Sequence, residues 1–230
     1  MPDHVIPTPQ AHVIPAGDGG SFPVRRVYCI GRNFAAHAVE MGHDPDREPP
    51  FFFQKNPNNL TVGDSFPYPP KSEDVHHEIE MVVALKSGGV NIPVDAALDH
   101  VWGYGVGLDM TRRDLQIAER SKQRPWDLGK DVEHSAVLAP ISKTADFGAV
   151  ADQRIHLEVN GKSRQDSHLS DMIWKVDEII SHLSGFYHLG PGDLIMTGTP
   201  AGVGPVVEGD VITGGIDGLD PIGLTIGPAE

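Results

Sequence analysis

The chain has 230 residues, 39% of them hydrophobic, enough to bury one sizeable core, so a single domain is the prior expectation. It carries 32 acidic against 18 basic side chains, a formal net charge of −14, which argues against a nucleic-acid binder because such proteins present a basic face. No run of about eighteen apolar residues is present to span a bilayer. The stretch Met1–Arg26 has no basic segment followed by an apolar one, so no secretory signal is expected and the cytoplasm is the default location.

The first two dozen residues, broken by five prolines from Pro2 to Pro23 and by Gly17, Gly19 and Gly20, read as an extended, poorly packed arm. Residues 25–230 are expected to form one catalytic domain. It begins with a strand at Arg26–Ile30 that holds Cys29, the only cysteine, so no intrachain disulfide can form. In that apolar run Cys29 reads as a small buried hydrophobe. Gly31-Arg32-Asn33 turns into a helix over Phe34–Met41, then Gly42–Pro50 is charged and proline-broken and reads as an irregular loop. Phe51–Lys55, Glu78–Leu85 and Val101–Leu108 read as strands. Amphipathic helices are expected over Asp109–Lys122, with Asp109 or Thr111 near the cap, and over Ser170–Leu183, with Ser170 or Asp171 capping. The remainder reads as short strands, with turn signals at Gly214-Gly215 and Asp217-Gly218. Strands outnumber helices and do not alternate with them, which favours an α+β fold with mixed or antiparallel sheets. No glycine-rich phosphate loop follows a predicted strand, so nucleotide cofactors are not expected.

The strongest local signal is His76-His77-Glu78-Ile79-Glu80. Side chains alternate along a strand, so Glu78 and Glu80 share a face about 7 Å apart. The commoner fate of such a pair is a solvated edge. Here Met81–Leu85 is apolar on both faces, the strand reads as buried, and buried unpaired carboxylates are costly. A hard divalent cation between them is the usual answer. His76 shares their face and is a candidate supporting group, whereas His77 is expected to pack. Asp109 closes the glycine-rich strand Gly103–Leu108; it is either a helix cap or a third carboxylate ligand. Three carboxylates leave about half of an octahedral shell open, which suits Mg²⁺ or Mn²⁺ and a chelating substrate.

On a helix His37 and Glu40 sit three apart on one face, the arrangement of a carboxylate-oriented general base, though such a pair on a surface helix is usually incidental. Lys55, Lys130 and one of Arg112 and Arg113 supply the positive charge that an anionic substrate requires in so acidic a protein. Thr197–Gly204 (TGTPAGVG) is either a plain turn or an oxyanion-binding loop offering N–H groups and the Thr199 hydroxyl.

In order, GRN-x₃-H-x₂-E, FFF-x-K, HHE-x-E, G-x-G-x₃-D-x-T-x₂-D-x-Q, PW-x₃-K and GD-x-I-x-TGTP-x-GVG closely resemble the fumarylacetoacetate hydrolase superfamily, from about Arg25 to near the C-terminus. Within it the chain is most similar to short bacterial acylpyruvate hydrolases, and GHDPDREPPFFF is similar to the fumarylpyruvate hydrolases of gentisate breakdown. The resemblance implies a mixed β-sheet roll, a homodimer, and Mg²⁺ or Mn²⁺, one per subunit, held by Glu78, Glu80 and Asp109. It implies His37, Glu40 and Lys130 as catalytic residues, with His37 and Glu40 on a lid. It implies Arg32, Lys55, Arg113, Gln116 and Thr199 as contacts to a small anionic β-diketo acid. Two features depart from the family pattern: Asp131-Val132-Glu133-His134, where relatives carry Gly and an aromatic, and Arg112, where a small residue is usual.

The implied reaction is hydrolysis of a 3-acylpyruvate, fumarylpyruvate giving fumarate and pyruvate. His37 deprotonates a water that attacks the C4 carbonyl, Lys130 or Gln116 stabilises the oxyanion, and pyruvate leaves as its enolate. The same enolate chemistry serves an oxaloacetate-type β-keto acid decarboxylase or a keto–enol isomerase. A non-catalytic metabolite-binding protein is the reading from another class, and the His37/Glu40 pair weighs against it.

Overall fold

The computed structural model describes residues 5–8, 10–17, 19–40 and 48–229. Its largest sheet has eight strands. From edge to edge it runs Phe51–Lys55, Arg26–Gly31, Asp193–Met196, Ile79–Leu85, Val101–Asp109, Ala136–Leu138 and Leu60–Thr61, and Ser142–Lys143 also pairs with Val101–Asp109. Pairing is mixed: Asp193–Met196 is parallel to Arg26–Gly31 and antiparallel to Ile79–Leu85. A five-stranded sheet packs beside it in the order Lys162–His168, Arg154–Val159, Val211–Ile216, Ile222–Ala229, Ser65–Tyr68. This is the α+β fold of mixed sheets that the sequence pattern implies and the roll that the family resemblance implies.

The strands follow their residues. Every side chain of Ile79–Leu85 is buried, because this strand lies in the middle of the large sheet with a core on each side. One core holds Met81, Val83 and Leu85, the other Val82 and Ala84. Phe51–Lys55 sits at the edge and alternates: Phe52 packs on Tyr187 and Phe186, while Phe51 and Phe53 turn the other way onto Trp126.

Four readings of the sequence are corrected. Much of the proline-rich arm is packed: Val13–Ala16 and Gly20–Pro23 pair as an antiparallel hairpin, and Ile14, Ala16 and Phe22 are buried in the second core. Prolines fit this hairpin because an edge ladder leaves some N–H positions without a pairing duty. The segment after Asp109 stays extended through Thr111–Arg112, which pairs with Val75–His77, and the helix runs only Arg113–Ser121, with Arg112 at its N-cap. In the segment beginning at Ser170, a short 3₁₀ turn at Leu169–Asp171 precedes a helix at Val176–Ser184. Glu178 caps that helix by accepting from the Lys175 N–H at 3.0 Å. Gly214-Gly215 lies inside the strand Val211–Ile216, and the turn is at Asp217-Gly218. Residues 42–47 of the expected loop lie outside the described residues. Among the described residues no helix is long and apolar enough to cross a membrane.

Candidate active site

Glu78 occupies the one-residue break between the strands Val75–His77 and Ile79–Leu85 and still shares a face with Glu80. Asp109 pairs across the ladder: its N–H donates to Glu78 O at 2.8 Å, bringing the end of its strand beside both glutamates. All three are buried, and each offers a carboxylate oxygen within 4.8 Å of the other two. Glu80 Oε2 accepts from the Gly198 N–H at 2.8 Å.

Three cations surround the cluster. Lys130 Nζ lies 2.7 Å from each of Glu78 Oε2, Asp109 Oδ2 and Thr111 Oγ1. Arg113 pairs with Glu78 Oε1, donates to Gln116 Oε1, and reaches His76 Nδ1 at 3.4 Å. Lys55 Nζ is 2.8 Å from Asp109 Oδ1. With all three carboxylates ionised, three negative charges face three positive ones, and a bound dication would leave the centre with two net positive charges. A local excess of this kind allows an acidic protein to hold a dianionic keto acid.

The carboxylates titrate apart. Burial, and then the charges of Asp109 and Glu78, hold the Glu80 carboxyl well above the ordinary carboxylate range. Burial pushes Glu78 the same way, but the charges of Lys130 and Arg113 outweigh it and hold that carboxyl low. Burial works against the charge of Lys130, yet Asp109 and Glu78 raise its pKa, so it remains an ammonium and acts as a donor. The residues fit a hard dication: each of the three buried carboxylates offers an oxygen within 4.8 Å of the other two, and the repulsion from Asp109 and Glu78 that helps hold the Glu80 carboxyl high is what a shared cation relieves. An all-carboxylate donor set suits Mg²⁺ or Mn²⁺.

His37 lies in the Ala35–Glu40 helix, buried, with Nδ1 3.0 Å from Glu40 Oε2. Glu40 also accepts from the Gly202 N–H at 3.1 Å, which ties this helix to the Thr197–Gly204 loop. That loop needs its glycines. Gly198 has φ +93 and a Cβ there would meet Asn33 Cβ at 2.8 Å; Gly202 has φ +97 and a Cβ would run into the Arg164 carbonyl.

One cavity collects these side chains. Its wall includes His37, Glu78, Glu80, Asp109, Arg113, Gln116, Lys130 and Thr199, with Arg32, Phe51, Arg120 and Trp126 also lining it. Of the residues expected to contact substrate, Lys55 alone is placed elsewhere. It stands behind Asp109, donating to Met110 O, Lys130 O and Ser135 Oγ, so its hydrogens are spent inside the protein. Arg112 points away from the cavity and donates to Leu128 O and Pro70 O. Asp131, in the segment that departs from the family pattern, accepts from Asn56 N and Asn59 Nδ2, both at 2.6 Å, and fastens the loop after Phe51–Lys55.

Sequence reasoning took Thr111 only as a cap candidate and passed over Arg120 and Gln165. Two of these carried a signal: Thr111 shares a strand face with Asp109, and Arg120 follows Arg113 and Gln116 at i+7 on one helix face. His77 packs as expected, 3.0 Å from Gln165, and its pKa falls to about 4 because it is buried, so the ring is neutral.

The fumarylacetoacetate (FAA) hydrolase C-terminal family matches residues 26–226. The chain belongs to that family. It is 48% identical over 194 residues to a fumarylpyruvate hydrolase of Ralstonia sp, covering 83% of this chain and 100% of the relative. It is 37% identical over 200 residues to a mitochondrial oxaloacetate tautomerase of Arabidopsis thaliana, covering 86% and 88%. The fold superposes with a TM-score of 0.95 on the crystal structure of a fumarylpyruvate hydrolase from Pseudomonas aeruginosa in complex with Mn²⁺ and pyruvate, at 46% identity, covering 99% of this chain and all of the other.

Proposed function

We propose that this family member is a metal-dependent hydrolase of the carbon–carbon bond in a 3-acylpyruvate, with fumarylpyruvate, split to fumarate and pyruvate, as its substrate. The observation that carries this reading is the convergence in one cavity of a buried three-carboxylate cluster and a carboxylate-paired histidine. Similarity to two fumarylpyruvate hydrolases supports the choice of acyl group.

Glu78, Glu80 and Asp109 would hold the cation, which when bound offsets the charge that builds on the pyruvate enolate leaving group. His37 gives its Nδ1–H to Glu40 and keeps Nε2 for a water proton, the polarity a general base needs. Gln116 Oε1 accepts from the Arg113 guanidinium, which turns the Gln116 NH₂ group away as a donor for the C4 oxyanion. Lys130, held as an ammonium, supplies a second fixed positive charge. At the outer end Arg32 has a left-handed backbone (φ 57), and its guanidinium lies 5.2 Å from the Phe51 ring centre. Together with Arg120 it places positive charge on the cavity wall where a fumaryl carboxylate would lie.

The same reading proposes a place in aromatic, gentisate-type breakdown, a cytoplasmic location and a homodimer, and it takes residues 25–230 as one catalytic domain. Oxaloacetate tautomerisation is the second reading, favoured by the 37% identical Arabidopsis relative. Incubation with fumarylpyruvate and with oxaloacetate, each with Mn²⁺, Mg²⁺ or chelator, followed by chromatographic product analysis, separates the two. Metal-dependent formation of fumarate plus pyruvate supports the hydrolase. Enol–keto exchange of oxaloacetate with fumarylpyruvate left intact overturns it.

A further inference from the structure

Gln165 is fully buried on the strand Lys162–His168 of the five-stranded sheet and does not line the cavity. Its amide nevertheless joins the metal-cluster strand to the Thr197–Gly204 loop. The sense of a buried amide is read from its partners, and here both ends have partners of fixed polarity. The Ile79 backbone N–H can only donate, so Oε1 faces it, at 3.1 Å. The Pro200 carbonyl can only accept, so Nε2 faces it, at 2.8 Å.

Two consequences follow from that orientation. His77 Nδ1, 3.0 Å from the same Oε1, carries the ring hydrogen. The second Nε2 hydrogen goes to Thr199 Oγ1 at 2.8 Å, so toward Gln165 the hydroxyl is an acceptor. Its own proton is left to be given on the other side, and there Thr199 lines the cavity with Glu80 and His37. The loop has little room to drift, because Gly202 lies flush against the Arg164 carbonyl next to Gln165.

We infer that Gln165 is a positioning residue that fixes the Thr199 hydroxyl as a hydrogen-bond donor to the carboxylate of a bound 2-keto acid. The inference rests on the proposed acylpyruvate reading of the cavity. Carboxylate and keto oxygens only accept, so a hydroxyl free to present a lone pair would repel the ligand as readily as bind it. Gln165 removes that alternative.

A double-mutant cycle read by calorimetric titration of pyruvate in saturating Mn²⁺ tests this, with Mn²⁺ affinity and thermal midpoint measured for each variant. Thr199→Val and Gln165→Met are each expected to weaken pyruvate binding about tenfold, the size of one lost hydrogen bond to a charged group. The double variant should bind no more weakly than Thr199→Val alone, with Mn²⁺ affinity unchanged throughout. Losses that simply multiply would overturn the inference, since Gln165 would then act independently of the hydroxyl. An unchanged pyruvate affinity in Thr199→Val also overturns it, and if Gln165→Met does not fold, Gln165→Glu, which keeps an acceptor for the Ile79 N–H but has no amide hydrogen for Thr199, takes its place in the cycle. Failure of the unmutated protein to bind pyruvate would remove the acylpyruvate reading together with the inference, whereas normal binding with no effect of either substitution removes the inference alone.

Discussion

Lys55 and Asp109 form a fully buried ion pair, Nζ to Oδ1 2.8 Å, with Asp109 in the wall of the cavity and Lys55 behind it. Removing Lys55 leaves Asp109 with Lys130 at Oδ2 as its remaining cation, so part of the roughly 3–5 kcal/mol typical of breaking a buried pair is expected to be lost. Lys55→Met is therefore expected to lower the thermal midpoint of the metal-free protein clearly. A dication beside Asp109 supplies the missing positive charge, so Mn²⁺ should raise the midpoint of Lys55→Met by more than that of the unmutated chain. Equal Mn²⁺ shifts in melts of the two proteins would show that Asp109 does not face the cation.

His37 and Glu40 predict a different signature. Neither belongs to the carboxylate cluster, so His37→Ala should leave Mn²⁺ affinity intact while lowering kcat on fumarylpyruvate by about 10² to 10⁴, the usual contribution of a positioned base. Glu40→Gln keeps an acceptor for Nδ1–H but loses the charge that steadies the imidazolium, and about a tenfold loss of kcat is expected. Steady-state kinetics with a parallel metal titration check both. Near-normal turnover in His37→Ala would take the base away from this residue.

The opposed carboxyls give a pH dependence with a definite sign. Glu80, raised by burial and by its negative neighbours, binds its proton more tightly in the folded chain than in the unfolded one. Without a cation, its contribution to stability is complete below the unfolded value near 4.5 and drains away as pH rises through the folded value. Glu78, held low by Lys130 and Arg113 in spite of burial, contributes above 4.5, and that contribution is lost only as pH falls through its folded value. As pH rises above 4.5 the contribution of Glu80 to the metal-free protein therefore falls. It is opposed at first by neutral His77, whose pKa burial lowers to about 4 and whose contribution grows with pH up to its ordinary value of 6.5. A dication replaces the proton, so the Mn²⁺-induced rise in midpoint should grow as pH rises above 4.5. A rise that is flat or shrinking with pH would mean that Glu80 is not the proton-releasing ligand.

How much was legible in the sequence differs by element. Glu78, Glu80 and Asp109 could be read because strand alternation and a strand end are local rules. The β-strands at Arg26, Phe51 and Val101 followed from apolar, β-branched runs. The packed hairpin around Ile14 and Phe22 could not be read, because a proline-broken segment acquires its burial only from a core assembled elsewhere. The Arg113 helix begins late because Thr111–Arg112 pairs with Val75–His77, a contact distant in sequence. Gln165 has no local mark at all: its neighbours Arg164 and Asp166 are exposed and charged, and only the second sheet brings its amide to Thr199. Lys55 read as a ligand contact because a strand-ending lysine looks the same whether it faces solvent, substrate or a buried carboxylate.

Arg120 carries the prediction about acyl-group choice. Arg113, Gln116 and Arg120 line one side of the Arg113–Ser121 helix toward the cavity, and seven residues of helix span about 10 Å, roughly the length of a dicarboxylic acylpyruvate. Arg113 lies beside Glu78 at the inner end, so on the proposed function Arg120 would meet the distal carboxylate. Arg32 approaches the same region, and its pKa is lowered, first by burial and then by the charge of Arg120. An anion between two such guanidiniums relieves that repulsion as it binds, whereas an uncharged acyl group does not. Arg120→Gln should therefore raise KM for fumarylpyruvate about tenfold, the scale of one charge-assisted hydrogen bond, and leave acetylpyruvate, which has no distal carboxylate, nearly unchanged. Parallel kcat/KM measurements on the two substrates give the ratio directly. An equal loss on both would place Arg120 in the framework of the cavity and leave the choice of acyl group to other residues.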